Sequence, residues 1–278
     1  MICNTFVHLP GIGPHRERAL WERGILDWDQ FLAAAGNGQM NGGTHQRAVP
    51  LVRRSDEAIK AGDVGFFKAA MPQCEMWRLY PEFADQALFI DIETTGLSPE
   101  YSEVTVIGTL ADGETSLFVN GVNLDEFPEY ARQFPLLVSF NGSQFDVPFL
   151  RFHFPQTQLD QAHIDLRYVF ASLGHKGGLK AIEKRLGVSR ASWIQETDGY
   201  EAVRLWHRYR RGDRDALDKL ILYNLTDVVN MVELMEIAFE RKSRGLSFPG
   251  PLPKPKMKDV PNLSPALAVA SVDKLLHV

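Results

Sequence analysis

Residues 87–95 read Ala87-Leu-Phe-Ile-Asp91-Ile-Glu93-Thr94-Thr95, an apolar run that closes on two acids one residue apart. Four consecutive apolar residues with no polar alternation are the pattern of a strand buried on both faces inside a sheet. Side chains two apart in a strand point the same way, so Asp91 and Glu93 aim together from the strand's carboxyl end. That end is where α/β sheets favour ligands. Gly96 in the following Thr94-Thr95-Gly96-Leu97 lets the backbone turn sharply and approach a ligand closely. Taken alone, the segment also fits a solvent-facing strand end with two surface acids.

Outward from this strand, residues 104–110 and 115–119 are short β runs around Ala111-Asp-Gly113, and they read as a hairpin. Residues 136–140 form another run and lead into Asn141-Gly-Ser-Gln-Phe145-Asp146. A fifth strand is expected at 163–166. Helices are expected over 179–186 and 214–242, the second broken near Tyr223. This mixture predicts an α/β fold with a mixed β-sheet flanked by helices.

Asp146 precedes Pro148, which is tolerated in a helix's first turn, so Asp146 stands at or just before a helix start. Capping that helix is its simplest role. Tyr223 and Asp227 are four apart and share one helix face, where Asp227 also fits an ordinary surface charge. Several carboxylates within about 4 Å repel one another unless cations neutralise them. Oxygen-only sites suit Mg²⁺ or Mn²⁺, and a metal pair about 3.5–4 Å apart stabilises both oxygens of an in-line displacement.

The chain has 278 residues, 45% of them hydrophobic, enough for one sizeable core or one core plus a small appendage. Its net charge of −5 offers no overall field for a polyanion, so nucleic-acid binding must use local basic patches and backbone amides. Cys3 and Cys74 are the only cysteines, which excludes a disulfide framework or a cysteine zinc site and fits a reducing, cytoplasmic setting. Residues 1–9 lack a signal-peptide pattern, and no apolar run reaches the roughly 18 residues a membrane span needs.

The three acidic segments resemble those of the DEDD exonuclease superfamily, which has a ribonuclease-H-like fold. Asp91-x-Glu93 matches its first motif, Asn141-x-x-x-Phe145-Asp146 the second, and Tyr223-x-x-x-Asp227 the third. The histidine subclass has His where this chain has Leu222; Tyr223 matches the tyrosine (DEDDy) subclass. Over residues 86–242 the chain is similar to YprB-type ribonuclease-H-like proteins. His163-Ile-Asp165-Leu and Gly177–Gly187 are similar to the stretch between motifs two and three. The resemblance implies that the acids converge. It implies a metal-dependent 3′→5′ exonuclease for single-stranded DNA or RNA, using two divalent ions, Mg²⁺ or Mn²⁺. Asp91, Glu93, Asp146 and Asp227 would be metal ligands, with Tyr223 orienting the nucleophile. Thr94, Leu97, Asn141 and Phe145 would be nucleic-acid contacts, Leu97 and Phe145 against the terminal nucleotide; core packing is the other role for Phe145.

At the N-terminus, Leu9-Pro10-Gly11-Ile12-Gly13-Pro14 precedes a helix expected over 15–24, and Trp28, Phe31 and Leu32 mark another. This resembles a helix-hairpin-helix motif, with Gly11 and Gly13 permitting positive φ and close approach to phosphates. Arg16, Arg18 and Arg23 would add charge. An ordinary αα-hairpin turn is the alternative, and residues 1–8 leave little room for the usual first helix. The expected organisation is a helix-hairpin-helix-like module at 1–34, a loop and helical connector at 35–85, a ribonuclease-H-like domain at 86–242, and a Pro/Lys-rich tail at 243–278. The tail carries Lys254, Lys256 and Lys258, with a short helix at 266–276. Residues 204–214 hold five arginines with Trp206 and Tyr209, either a phosphate and base contact or a solvated helix face. Competing readings are a nucleic-acid-binding module with weak or no catalysis and a structure-specific endonuclease. Protein partners are not legible in the sequence.

Overall fold

The computed structural model describes residues 1–39, 43–157, 159–190 and 200–255. The fold is set by β1 (Ala87–Thr94), which lies at the centre of a five-stranded sheet. The other strands are β2 (Val104–Ala111), β3 (Glu114–Val119), β4 (Leu136–Ser139) and β5 (Ala162–Asp165). Their order is β3-β2-β1-β4-β5. β1 pairs antiparallel with β2 and parallel with β4, so the sheet is mixed, as expected. β2 and β3 are joined by Asp112 (φ 49°) and Gly113 (φ 83°), the two positive values that match a tight hairpin to strand twist.

Alternation along β1 divides the core. Leu88, Ile90 and Ile92 pack with Phe127, Phe149 and Leu150. Phe89 points the other way, into a cluster with Val228, Met231 and Met235. Asp91 and Glu93 share the parity of Phe89 and therefore face this second side. The N-terminal helices α1 (Pro14–Glu22), α2 (Trp28–Gly36), α3 (Gly43–Lys60), α4 (Val64–Ala70) and α5 (Tyr80–Phe83) contribute to the same side. Phe6, Phe31, Phe67 and Phe83 belong to one continuous apolar cluster with Phe89. The first side carries α6 (Phe127–Ala131) and α7 (Asp146–His153). The second carries α8 (Leu166–Ser172), α9 (Leu179–Leu186), α10 (Glu201–Tyr209) and α11 (Arg214–Gly245).

A buried ion pair fastens the N-terminal hairpin to the segment Gln73–Leu79. Arg78 Nη1 donates to both Glu17 oxygens at 2.9 and 2.8 Å, and Glu17 also accepts the Phe6 N–H at 2.6 Å.

Several expectations change. α11 is one unbroken 32-residue helix rather than two. Residues 223–227 contain no Gly or Pro, and Thr226 Oγ1 bonds the Leu222 carbonyl at 2.7 Å without opening the turn. No α-helix precedes the hairpin; residues Ile2–Asn4 make a single 3-10 turn. Gly11 has φ 78°, but Gly13 sits at φ −93° as the residue before α1, a conformation open to any residue. Trp206 is buried, which leaves no face for a base, and Arg204 and Arg208 are paired with Glu201 and Asp213. Lys256, Lys258 and the helix expected at 266–276 lie outside the described residues. Among the described residues, no helix is long and apolar enough to cross a membrane.

Candidate functional site

Asp91 sits directly opposite Gly108 of β2. A Cβ at Gly108 would lie 1.9 Å from Asn224 Oδ1, so this glycine is what lets α11 descend onto the sheet. Asn224 is fully buried, and its Nδ2 donates to the Asp91 carbonyl at 3.1 Å and to Asp91 Oδ2 at 2.9 Å. Asn224 therefore orients the first acid from the helix that also carries Tyr223 and Asp227.

Asp146 is the first residue of α7, in keeping with the sequence reading. Its Oδ1 accepts the Ile92 N–H at 3.1 Å, which ties it to β1 between Asp91 and Glu93. The preceding loop turns through Asn141, whose φ is 68°. At Gly142 a Cβ would meet Ser139 Oγ at 2.2 Å.

Tyr223 and Asp227 lie one turn apart on α11. Arg190 Nη2 stands 2.6 Å from Asp227 Oδ1. The same guanidinium holds the buried Glu183 through Nε at 2.5 Å and Nη2 at 2.8 Å, and Asn230 Nδ2 supports Glu183 at 2.9 Å. Lys180 Nζ lies 4.7 Å over the Tyr223 ring.

Asp91, Glu93, Asp146, Tyr223 and Asp227 line one cavity of about 540 Å³. The structure thus brings together all five residues expected to be catalytic. Thr94, Leu97, Asn141 and Phe145 line it too. Leu97 is 87% exposed at its rim. The Thr94 hydroxyl is spent on the turn, donating to the Gly96 carbonyl at 2.5 Å. Phe145 is half-buried with its ring 4.8 Å from that of Phe149, so it both packs and faces the cavity. Gly11 and Gly13 line a separate hollow of about 650 Å³ that shares no residue with the carboxylates. A larger groove, about 750 Å³, runs along the end of α11 and is likewise separate.

The acids are held where ionisation is costly. Burial, and then the charge of Asp227, push the Asp91 and Glu93 carboxyls well above the carboxylate range. Burial lifts Asp146 to about 7, against the two backbone N–H groups it accepts. Asp227 rises to about 6 by burial, with Arg190 opposing the rise. The Tyr223 hydroxyl is raised above its usual value by burial and by Asp227, Glu93 and Asp91, so it keeps its proton at neutral pH. Among the described residues, no group of three or more His, Cys, Asp or Glu side chains stands in an arrangement that would hold a metal ion as placed. Asn224, the Ile92 N–H and Arg190 each engage an acid instead. The donor set is oxygen-only and its acids outnumber the two cations beside it, Lys180 and Arg190. That chemistry fits hard divalent ions.

Asn224, Glu183 and Arg190 had not been singled out from sequence. The signal for Asn224 is an amide flanked by Leu220, Ile221 and Val228 on an apolar helix face. Arg190 carries no local signal, because its partners are 7 and 37 residues away.

No curated protein matches the chain. Among solved structures, the family B DNA polymerase of the archaeon Pyrobaculum calidifontis is similar at 17% identity and a TM-score of 0.43, over 55% of this chain. That match spans only 25% of the polymerase chain. Brucella melitensis NrnC is similar at 21% identity and a TM-score of 0.42, over 59% of this chain and 78% of NrnC. Its structure with bound Mg²⁺ matches at 19% identity and a TM-score of 0.39, over 61% of this chain and 79% of that one. The family model RNase_H_2 matches residues 88–239, from the strand that bears the first two acids to beyond the helix that bears the last. With more than half its length matched, the chain belongs to the RNase_H superfamily.

Proposed function

We propose that this chain is a metal-dependent 3′→5′ exonuclease of the DEDDy type, hydrolysing phosphodiester bonds of single-stranded DNA or RNA, with kinship to YprB-type proteins. The carrying observation is the single cavity lined by Asp91, Glu93, Asp146, Tyr223 and Asp227. Four neighbouring acids, Asp146 and Asp227 buried and Asp91 and Glu93 half-buried, are costly to keep ionised unless cations compensate them.

Asp91, Glu93, Asp146 and Asp227 would hold two divalent ions, Mg²⁺ or Mn²⁺. When bound, such ions supply Lewis-acid stabilisation of the attacking and leaving oxygens. The chain's own residues do the rest. Asn224 fixes the rotamer of Asp91, and the Ile92 N–H fixes that of Asp146. Tyr223 is too weak an acid to lose its proton at neutral pH, so its hydroxyl orients the nucleophilic water rather than taking a proton from it. Leu97 stands exposed where it can pack on a terminal base, and Phe145 and Asn141 complete that wall. Thr94 shapes the turn that carries Leu97. The Gly11 hairpin would take backbone phosphate from a more distant stretch of the strand. Arg16 Nη1, bound to the Gly11 carbonyl at 2.6 Å, supports this by holding a cation at that turn. The free thiols of Cys3 and Cys74 support a reducing compartment such as the cytoplasm.

The test is one panel of 5′-labelled single-stranded DNA and RNA beside covalently closed circles, with Mg²⁺, Mn²⁺ or EDTA. The expected result is metal-dependent shortening of linear strands one nucleotide at a time, with circles intact. Cutting of circles would replace this reading by an endonuclease. Binding without cutting of any strand would replace it by a binding module.

A further inference from the structure

Asp165, at the end of β5, is 5% exposed and is not one of the acids lining the carboxylate cavity. Its carboxylate is nonetheless saturated by the loop that precedes Asp146. Oδ1 accepts the Asn141 N–H at 2.8 Å and the Arg167 N–H at 3.1 Å. Oδ2 accepts the Ser143 N–H at 3.1 Å and the Ser143 hydroxyl at 2.5 Å. Four donors fill the four lone-pair positions a carboxylate offers.

The loop so held is one that would not keep its shape unaided. Asn141 is in the left-handed region at φ 68°, which a non-glycine residue adopts at a cost. The Asn141 carbonyl then receives the Gln144 and Phe145 N–H groups, and the Gly142 carbonyl receives that of Val147 at 2.8 Å. These bonds set where α7 begins, and α7 begins with Asp146. A second brace comes from the same two strands: Gly142 N–H donates to Ser139 Oγ at 3.1 Å, and that hydroxyl meets His163 Nε2 at 2.7 Å.

We infer that Asp165 is a positioning residue for Asp146: by clamping the backbone at Asn141 and Ser143 it fixes the second-segment acid against β1. The inference rests on the proposed metal site for its consequence, though the clamp itself does not. Asp165→Asn keeps the side chain's shape but turns an NH₂ toward two of the four donors. Asp165→Asn should speed amide exchange at Asn141 and Ser143 in the metal-free protein and weaken binding of Mn²⁺ alone by about tenfold or more. Turnover should fall in parallel with the metal affinity and be restored toward wild type by raising the Mn²⁺ concentration. Ser143→Ala deletes one donor and should shift exchange and Mn²⁺ affinity the same way by a smaller factor. Unchanged exchange and Mn²⁺ affinity in Asp165→Asn would overturn the inference. So would an Asp165→Asn protein that fails to fold while Ser143→Ala matches wild type in both measurements. If wild type binds Mn²⁺ but cuts no strand, the nuclease reading fails, and the clamp is still decided by exchange and Mn²⁺ binding.

Discussion

Replacing Asp146 by Asn is expected to stabilise the metal-free protein and to flatten its dependence on pH. The Asp146 side chain is 3% exposed, and its carboxyl is lifted by burial from 3.8 to about 7. Between those values the folded state keeps a proton that the unfolded chain has lost. Stability from this group is therefore full below pH 3.8 and declines as pH rises toward about 7. At about 1.36 kcal/mol per pH unit, the interval from pH 5 to pH 7 amounts to about 3 kcal/mol lost by wild type through this residue. Asn has no proton to lose, and its carbonyl oxygen can still accept the Ile92 N–H. The gap between Asp146→Asn and wild type should thus widen by about 3 kcal/mol from pH 5 to pH 8, or on the order of 6–12 °C in Tm. Thermal and urea unfolding in EDTA at pH 5, 6, 7 and 8 measure it. A gap that stays constant or narrows with pH would mean that Asp146 is not held protonated in the folded, metal-free protein. Saturating Mg²⁺ should reverse the order, because the ions stabilise only the protein that retains the acid.

Three further outcomes follow from individual contacts. Gly108→Ala places a methyl group 1.9 Å from Asn224 Oδ1 inside a paired strand, so it should cost about 1–3 kcal/mol in urea unfolding and remove metal-dependent nuclease activity. Tyr223→Phe should lower single-turnover cleavage about 100-fold with strand binding unchanged, the cost of one positioned donor. Its pH–rate profile should keep the wild-type shape, because the hydroxyl does not titrate in the working range. Glu17→Gln leaves the buried Arg78 with Glu75, 2.7 Å from its Nε, as its remaining counter-charge, and should destabilise by about 3 kcal/mol, whereas Glu17→Met with Arg78→Met should cost clearly less.

The sheet and the acids were legible in sequence for local reasons. An unbroken apolar run specifies a strand covered on both faces, and Asp112-Gly113 specifies the hairpin beside it. Asp146 before Pro148 reads as a helix start, and the four-residue spacing of Tyr223 and Asp227 reads as one helix face. What stayed hidden depends on long-range approach. Nothing near Gly108 announces that Asn224 will rest on it, since the pair is 116 positions apart in sequence and meets only when α11 crosses β2. The same holds for Arg190, which reaches Asp227 from the irregular segment that follows α9. The expected break near Tyr223 failed because function-like polar residues do not interrupt a helix that contains no Gly or Pro there. At the hairpin, two glycines looked alike in sequence, yet only Gly11 needs its freedom.

The most direct measurement is product analysis on a 5′-labelled single strand with Mn²⁺, comparing wild type with Asp91→Ala. Asp91 is the acid that Asn224 orients, and after burial the charges of Asp227, Glu93 and Asp146 all push its carboxyl up. Wild type should give a ladder of strands shortened from the 3′ end. EDTA should abolish the ladder, and Asp91→Ala should give none while its metal-free Tm is no lower than that of wild type. Full activity in Asp91→Ala, or no shortening by wild type with either metal, would contradict the proposed exonuclease.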